Sequence, residues 1–486
     1  MNVVPLPRDV SLDGSGFLRL GAVPRVSGVG GLGEVVAGLL GGAVQVGGAA
    51  EVVLELKGGT GAEEEYELVV TEERATVSAW SAQGLFRGAT TLAQLVTEER
   101  TVPCVRVTDG PALPWRGLSL DVVRHFFTVE QVKKVIDLLA MYKFNVLHLH
   151  LTDSQAWRLE ISGWPRLTDG EHYTHDDYRE IVAYAAARFV TVVPEIDLPG
   201  HVLAAVRAYP ELGGEEPPAH PLIPFLDPRA EVTWTFVADV LGEVAALTPG
   251  PFLHIGGDEA FGMPHELYAA FVTRALDVAR ATGKRVVGWQ EVSRSGALTP
   301  ADIAQCWVGD GDAFDPEAAR RTAPPEYHPL IDIAARSFEQ APHDVPAAVA
   351  AGAAVLASPS RVLYLDRRYA EESTLPEQNE RRERVGFASY RPLSSREYFD
   401  WQPGALVEIP GGARLAGVEA AVWCETVRGF DDLAFLLLPR LAGIAEKAWT
   451  ERPTEWEDYR RRVSAHTSWW ERLGWGGYYR STELFA

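Results

Sequence analysis

Residues 117 to 150 read GLSLDVVRHFFTVEQVKKVIDLLAMYKFNVLHLH, and the fold turns on this stretch. Gly117-Leu-Ser-Leu-Asp121 is short and apolar and reads as a strand. Thr128-Val-Glu-Gln131 has the spacing of a capping box. It opens a helix whose Val132, Val135, Ile136 and Leu139 share one face. Asn145-Val-Leu-His-Leu-His150 is the next strand. The same alternation continues through Val190-Thr-Val-Val-Pro-Glu195, Phe252-Leu-His-Ile255, Arg285-Val-Val-Gly-Trp289, Ile303-Ala-Gln-Cys-Trp307, Ala353-Ala-Val-Leu-Ala357 and Val418-Glu-Ala-Ala-Val-Trp423. That makes about eight strands separated by helices, as a (β/α)₈ TIM barrel requires. A doubly wound open sheet would be favoured by a glycine-rich phosphate loop, and the sequence shows no such loop.

Upstream the pattern differs. The first 110 residues alternate short β-rich runs, such as Val52-Val-Leu-Glu-Leu-Lys57 and Tyr66-Glu-Leu-Val-Val70, with glycine-rich turns, and carry one amphipathic stretch from Gly84 to Val96. This predicts a small α+β domain over 1–110. Pro111-Ala-Leu-Pro-Trp115 is its exit linker, and residues 111–486 form the barrel with a C-terminal helical segment.

Composition narrows the chemistry. The chain is 47% hydrophobic and 23% charged, an ordinary globular balance, and no apolar run reaches the ~18 residues that span a bilayer. A formal net charge of -22 repels nucleic acid and anionic membrane surfaces, so a neutral substrate fits better. Cys104, Cys306 and Cys424 are odd in number and far apart, with no CxxC pair, which suggests a reducing compartment. The N-terminus shows no basic leader and apolar run, so a cytoplasmic location is expected, with a longer secreted precursor left open. The sequence is silent on oligomeric state.

In a barrel of this kind reactive groups sit at the C-terminal ends of the strands. Here nearly every proposed strand ends in polar or aromatic residues: Asp121 to Arg124, His150 to Asp153, Glu195 to His201, Asp258-Glu259, Trp289, Trp307, and Trp423 to Glu425. The sharpest element is His254-Ile-Gly-Gly-Asp-Glu259, where two carboxylates follow a buried strand and two glycines that allow a ligand close to the backbone. A conventional retaining glycosidase holds two carboxyl groups about 5 Å apart across the scissile bond, and an inverting one spaces them farther. Adjacent residues in an extended chain point to opposite faces, so Asp258 and Glu259 do not obviously make such a pair. A different division of labour is natural. Glu259 protonates the leaving oxygen, and Asp258 attends to a 2-acetamido group whose carbonyl oxygen attacks the anomeric carbon.

These residues resemble glycoside hydrolase family 20, the β-N-acetylhexosaminidases. The likeness is carried by Gly84-Leu-Phe-Arg-Gly-Ala-Thr-Thr-Leu-Ala-Gln-Leu95, Trp115-Arg-Gly-Leu-Ser-Leu-Asp-Val-Val-Arg-His-Phe-Phe127, Lys143 to Asp153, Pro194-Glu-Ile-Asp-Leu-Pro-Gly-His201 and the HIGGDE segment, in the family's order. The resemblance implies an exo-acting retaining enzyme that removes terminal β-linked N-acetylhexosamine through an oxazolinium intermediate, with no metal or other cofactor. It implies that Arg124 grips O3 and O4, and that Asp366 and Glu425 accept hydrogen bonds from O4 and O6. Tyr364 joins Asp258 on the acetamide, and Trp289, Trp307 and Trp423 wall its methyl group. Asp153 and His201 form a polar relay behind Glu259. Tyr364 and Asp366, and likewise Trp423 and Glu425, are two apart and share a face if the chain there is extended.

Plainer readings stand beside these. Arg124 can pair with Asp121 at a strand end, the tryptophans can be core, and Asp197, beside Pro199-Gly200, reads as more structural than His201. His148-Leu-His150 is an HxH pair on one strand face, as in metal-dependent amidohydrolases, but it lies in the second strand and no later histidine cluster follows. A catalytically inactive carbohydrate-binding barrel is the other rival. Three positions depart from the family's pattern. Phe387 stands where it commonly has a tryptophan at the outer subsite, and Ser154 and Ala156 replace an acidic residue and a glycine after Asp153.

Overall fold

The capping box forms as its spacing predicts. Thr128 Oγ1 accepts from the Gln131 N–H, Gln131 Oε1 accepts from the Thr128 N–H, and the helix Val129–Met141 follows. The structure is a computed structural model that describes residues 1–28, 30–44, 50–312 and 314–486. Among them, β1 (Asp9–Arg19), β2 (Arg25–Ser27), β3 (Ala43–Val44), β4 (Val52–Leu56), β5 (Tyr66–Val70), β6 (Ala75–Ala79) and β7 (Thr101–Asp109) form one mixed sheet in the order β1-β7-β5-β6-β4-β2-β3. The amphipathic stretch becomes the helix Ala82–Leu95, packed on β5 and β6 with Ser81 as its N-cap.

The remaining strands are β8 (Trp115–Asp121), β9 (Val146–His150), β10 (Thr191–Glu195), β11 (Phe252–His254), β12 (Arg285–Trp289), β13 (Ile303–Cys306), β14 (Ala354–Ala357) and β15 (Leu415–Val422). All pair in parallel with their neighbours, and β15 returns to β8 to close the barrel. Period-two alternation then sorts the side chains. Leu147, Leu149, Val192 and Leu253 face the surrounding helices in the main core. Trp115, Val146, Val193, Val287, Ile303, Ala354 and Leu356 fill the lower interior. Two residues farther along their strands come His148, Glu195, Trp289 and Gln305, and His254 and Glu419 join them, all buried. The barrel therefore has an apolar floor, a polar middle layer and the site above it.

Several strands are shorter than the sequence predicts, with Ile255, Trp307 and Trp423 falling beyond their ends. At β11 the cause is local: Gly256 and Gly257 take φ of 67° and 105°, which turns the chain out of the sheet. Tyr364 and Asp366 also lie outside a strand, after β14 and the short helix Ser360–Leu363. Tyr364 makes an isolated bridge to Ala421, and the Leu365 N–H donates to the Ala421 carbonyl.

The N-terminal sheet is locked to the barrel through Lys143, which is fully buried. Its Nζ donates to Asp109 Oδ2 at 2.8 Å and to the Tyr66 hydroxyl at 2.9 Å, and lies 4.5 Å from the Trp449 ring centroid.

Candidate active site

All eight barrel strands deliver side chains to one cavity of about 160 Å³. Arg124 follows β8, Asp153 follows β9, His201 follows β10, and Asp258 and Glu259 follow β11. Trp289 ends β12, Trp307 follows β13, Tyr364 and Asp366 follow β14, and Trp423 and Glu425 follow β15. Every residue given a catalytic or substrate-binding role from the sequence thus lines the cavity. His150, Asp197, Phe387 and Tyr390 line it as well.

The Asp-Glu pair does not behave as adjacent residues in an extended strand. Glu259 takes φ 46°, and together with Gly256 and Gly257 this twists the segment until both carboxylates meet the same histidine. His201 Nε2 lies 3.4 Å from Asp258 Oδ2 and 3.4 Å from Glu259 Oε2. His201 itself has φ 55°, so two non-glycine residues in the left-handed region stand in direct contact at the centre of the site. Asp197 braces the turn, its Oδ1 accepting from the Gly257 N–H at 3.2 Å. A Cβ on Gly256 would lie 1.8 Å from that oxygen, so only glycine fits there.

Behind the pair, His201 Nδ1 meets Asp153 Oδ1 at 3.1 Å, and His150 Nε2 meets Asp153 Oδ2 at 3.0 Å. Burial alone would raise the Asp153 carboxyl, but His201 and Arg124 outweigh it and hold the group well below the usual carboxylate range. Burial disfavours the His201 cation, yet Asp153, Asp197 and Asp258 hold it well above the ordinary histidine value. The Asp197 carboxyl is pushed well up, first by burial and then by Asp258. Asp197 thus fits its structural reading while also facing the cavity.

Arg124 pairs with Asp121, as its plainer reading has it, and also lines the cavity. One guanidinium nitrogen lies 3.3 Å from Asp121 Oδ2, another 2.6 Å from Asp153 Oδ2 and 4.0 Å from Glu425 Oε1, and the group sits 5.4 Å from the Trp423 ring centroid. Asp366 is buried, and burial followed by the nearby Glu425 pushes its carboxyl up to about 8.

The aromatic residues form a continuous wall. Trp307 and Tyr364 stack with centroids 6.4 Å apart and planes 9° apart, and Trp423 lies 5.9 Å from Tyr364 and 6.0 Å from Trp289. Two of the indoles are anchored by carboxyl groups to which the sequence reading gave no role: Trp289 Nε1 donates to Glu195 Oε1 at 2.7 Å, and Trp307 Nε1 donates to Glu291. At the mouth Phe387 is 40% exposed and meets Tyr390 edge-on at 5.5 Å, so the outer aromatic surface is a pair of rings. Tyr390 carries no motif and reaches the site only through the fold of its loop.

Three groups bring histidine and carboxylate atoms close enough to share an ion: His148, Glu195 and His254; His150, Glu195 and Asp197; and Asp197, His201 and Asp258. Much of that donor set is already engaged. His148 Nδ1 meets Glu419, His254 Nδ1 accepts from the Gly256 N–H, and both His150 nitrogens meet carboxylates. The HxH pair thus belongs to a chain of alternating imidazoles and carboxylates.

Comparison with known proteins agrees with this geometry. The catalytic-domain model of glycosyl hydrolase family 20 matches residues 113–265 and 262–452, and that family's domain 2 matches residues 1–110. A β-N-acetylhexosaminidase of Cellulomonas fimi is 40% identical over 434 residues, covering 85% of this chain and 79% of the relative. The Streptomyces plicatus N-acetyl-β-hexosaminidase in complex with Thio-NAglucal superposes with a TM-score of 0.85 at 34% identity, covering 99% of this chain and 97% of the other. The family 20 β-N-acetylhexosaminidase of Streptomyces coelicolor A3(2) gives 0.84 at 35% identity over 99% and 98%.

Proposed function

Because the chain belongs to glycoside hydrolase family 20 and is a β-N-acetylhexosaminidase, we propose that it removes terminal β-linked N-acetylhexosamine by substrate-assisted catalysis with retention. The observation that carries the mechanism is the convergence of Asp258 and Glu259 on one nitrogen of His201. Carboxylates gathered on one imidazole do not flank a scissile bond from opposite faces, so the nucleophile comes from the substrate.

In this reading the aromatic wall holds the 2-acetamido methyl, and Tyr364 donates to the acetamide oxygen. Asp258 accepts the acetamide N–H. The carbonyl oxygen attacks the anomeric carbon as the glycosidic C–O bond breaks, and the Glu259 proton passes to the leaving oxygen. Asp258 stabilises the positive charge that develops on the oxazolinium ring. Water then adds at the anomeric carbon, returning a proton to Glu259. Arg124, Asp366 and Glu425 hold the ring hydroxyls, and the carboxyls beside O4 are where glucosamine and galactosamine substrates would be distinguished.

A panel of aryl β-glycosides with and without the 2-acetamido group tests this reading. Turnover is expected only with the acetamido sugars, and comparable hydrolysis of plain β-glucosides would defeat it.

A further inference from the structure

Below the cavity the polar middle layer continues the chain that ends at Glu259. Glu419 Oε2 accepts from Trp115 Nε1 at 2.8 Å, and Glu419 Oε1 meets His148 Nδ1 at 2.9 Å and Gln305 Nε2 at 2.9 Å. His148 Nε2 lies 3.2 Å from Glu195 Oε2, and the same oxygen meets His150 Nδ1 at 2.6 Å. From His150 the line runs through Asp153 to His201 and so to Glu259. Acid and base alternate at every step, and all members below His201 are at most 2% exposed. An apolar barrel interior would be cheaper than five buried ionisable groups unless their charges do something.

We propose that His150 is a positioning residue for proton donation: clamped between Glu195 and Asp153, it fixes Asp153 under His201 and supplies the buried positive charge that tunes Glu259. This rests on the proposed role of Glu259. His150 lines the cavity floor, but its two nitrogens are spent on Glu195 and Asp153, and its ring packs against Trp423 with centroids 5.1 Å apart, so neither nitrogen is free to bond a substrate.

Glu195 is a junction. One oxygen holds His150, and the other accepts from Trp289, so a single buried carboxylate ties the acid side of the site to the acetamide wall. The groups facing each member are all accounted for among the described residues. Glu195 faces His148, His150 and His254; Asp153 faces His150, His201 and Arg124; Asp197 lies beside His150, Glu195 and His201; Glu259 faces His201, with Asp258 beside it and Tyr390 across the cavity. Electrostatics agree with the geometry. Burial opposes charge on both histidines, but Glu419 and Glu195 carry His148 up to about 9, and Glu195 with Asp153 holds His150 well above its ordinary value. From Glu195 through His150 and Asp153 to His201 the shifts favour alternating negative and positive charge.

His150→Gln removes one buried positive charge, leaving Glu195 and Asp153 with an excess of negative charge. The alkaline limb of kcat/KM is expected to move about 0.5–1 pH unit upward. Turnover of an N-acetylglucosamine disaccharide should fall by roughly tenfold or more, and that of an aryl glycoside with an acidic leaving group much less. The double variant His150→Gln/Glu195→Gln removes one charge of each sign and should bring the alkaline limb back toward wild type. An unmoved limb with equal losses on both substrates would overturn the proposal and leave His150 a packing residue. If the single variant does not fold, the double variant decides: an alkaline limb that stays displaced from wild type by about 0.5 pH unit or more would overturn the proposal. Glu259→Gln serves as the control. If that variant loses both substrates equally, the functional reading itself fails, which is a separate outcome.

Discussion

Trp307 Nε1 donates to both carboxyl oxygens of Glu291, at 3.2 Å and 3.0 Å. Burial, and after it Asp258 and Asp344, push the Glu291 carboxyl well above the usual range, which favours its neutral form. Glutamine is a close copy of that neutral group. Glu291→Gln is therefore expected to stay within about threefold of wild-type kcat/KM, whereas Glu291→Ala frees the indole and should raise KM about tenfold, the worth of one buried hydrogen bond. Steady-state kinetics on an aryl N-acetylglucosaminide separates the two.

Asp366 couples the protein's stability to pH. Its folded value of about 8 lies above the ordinary aspartate value of 3.8, so the folded state binds the extra proton, and stability falls as pH rises between the two. Asp366→Asn removes that dependence. Thermal unfolding should show the variant more stable than wild type at pH 8, with the gap closing toward pH 4, while its KM for the sugar rises.

Lys143 predicts the behaviour of the domain interface. Replacing it with Met leaves Asp109 buried beside Tyr66 and Trp449 without its cation, a loss of about 3–5 kcal/mol. Denaturant unfolding is expected to show the reduced midpoint, and a shift under about 1 kcal/mol would mean that the lock contributes little.

Gly256→Ala places a methyl group 1.8 Å from Asp197 Oδ1 at φ 67°. The turn must open, and Asp258 and Glu259 lose their common approach to His201. Activity should fall more than 100-fold, since misplacement of catalytic groups by about 1 Å already costs that much. Circular dichroism should still report a folded barrel.

The fold was legible because the strands near Leu118, Leu147 and Val193 obey a plain alternation between helix-facing and interior residues, and because Thr128 and Gln131 are a complete local signal. The strand ends told where the site would be. What sequence could not supply was the conformation at Glu259. Positive φ at a glutamate has no signature in one chain, and it converts two side chains expected on opposite faces into a convergent pair. Glu195, Glu291 and Tyr390 were hidden for a related reason: Glu195 and Glu291 act through contacts with Trp289 and Trp307 brought in by other strands, and Tyr390 reaches the cavity only through the fold of the loop it shares with Phe387. His148-Leu-His150 was readable as a pair on one face, but its carboxylate partners lie on β10, β15 and the loop after β9.

The central claim is that the substrate's acetamide oxygen is the nucleophile while Glu259 donates the proton. A series of aryl glycosides bearing acetyl, fluoroacetyl, difluoroacetyl and trifluoroacetyl groups on the 2-amino nitrogen tests it most directly, because each fluorine drains electron density from the carbonyl oxygen. Measured kcat/KM should drop steeply along the series, by at least about tenfold for each step, roughly 1.4 kcal/mol in the barrier. A flat series would contradict the account and transfer the nucleophile's role to the protein.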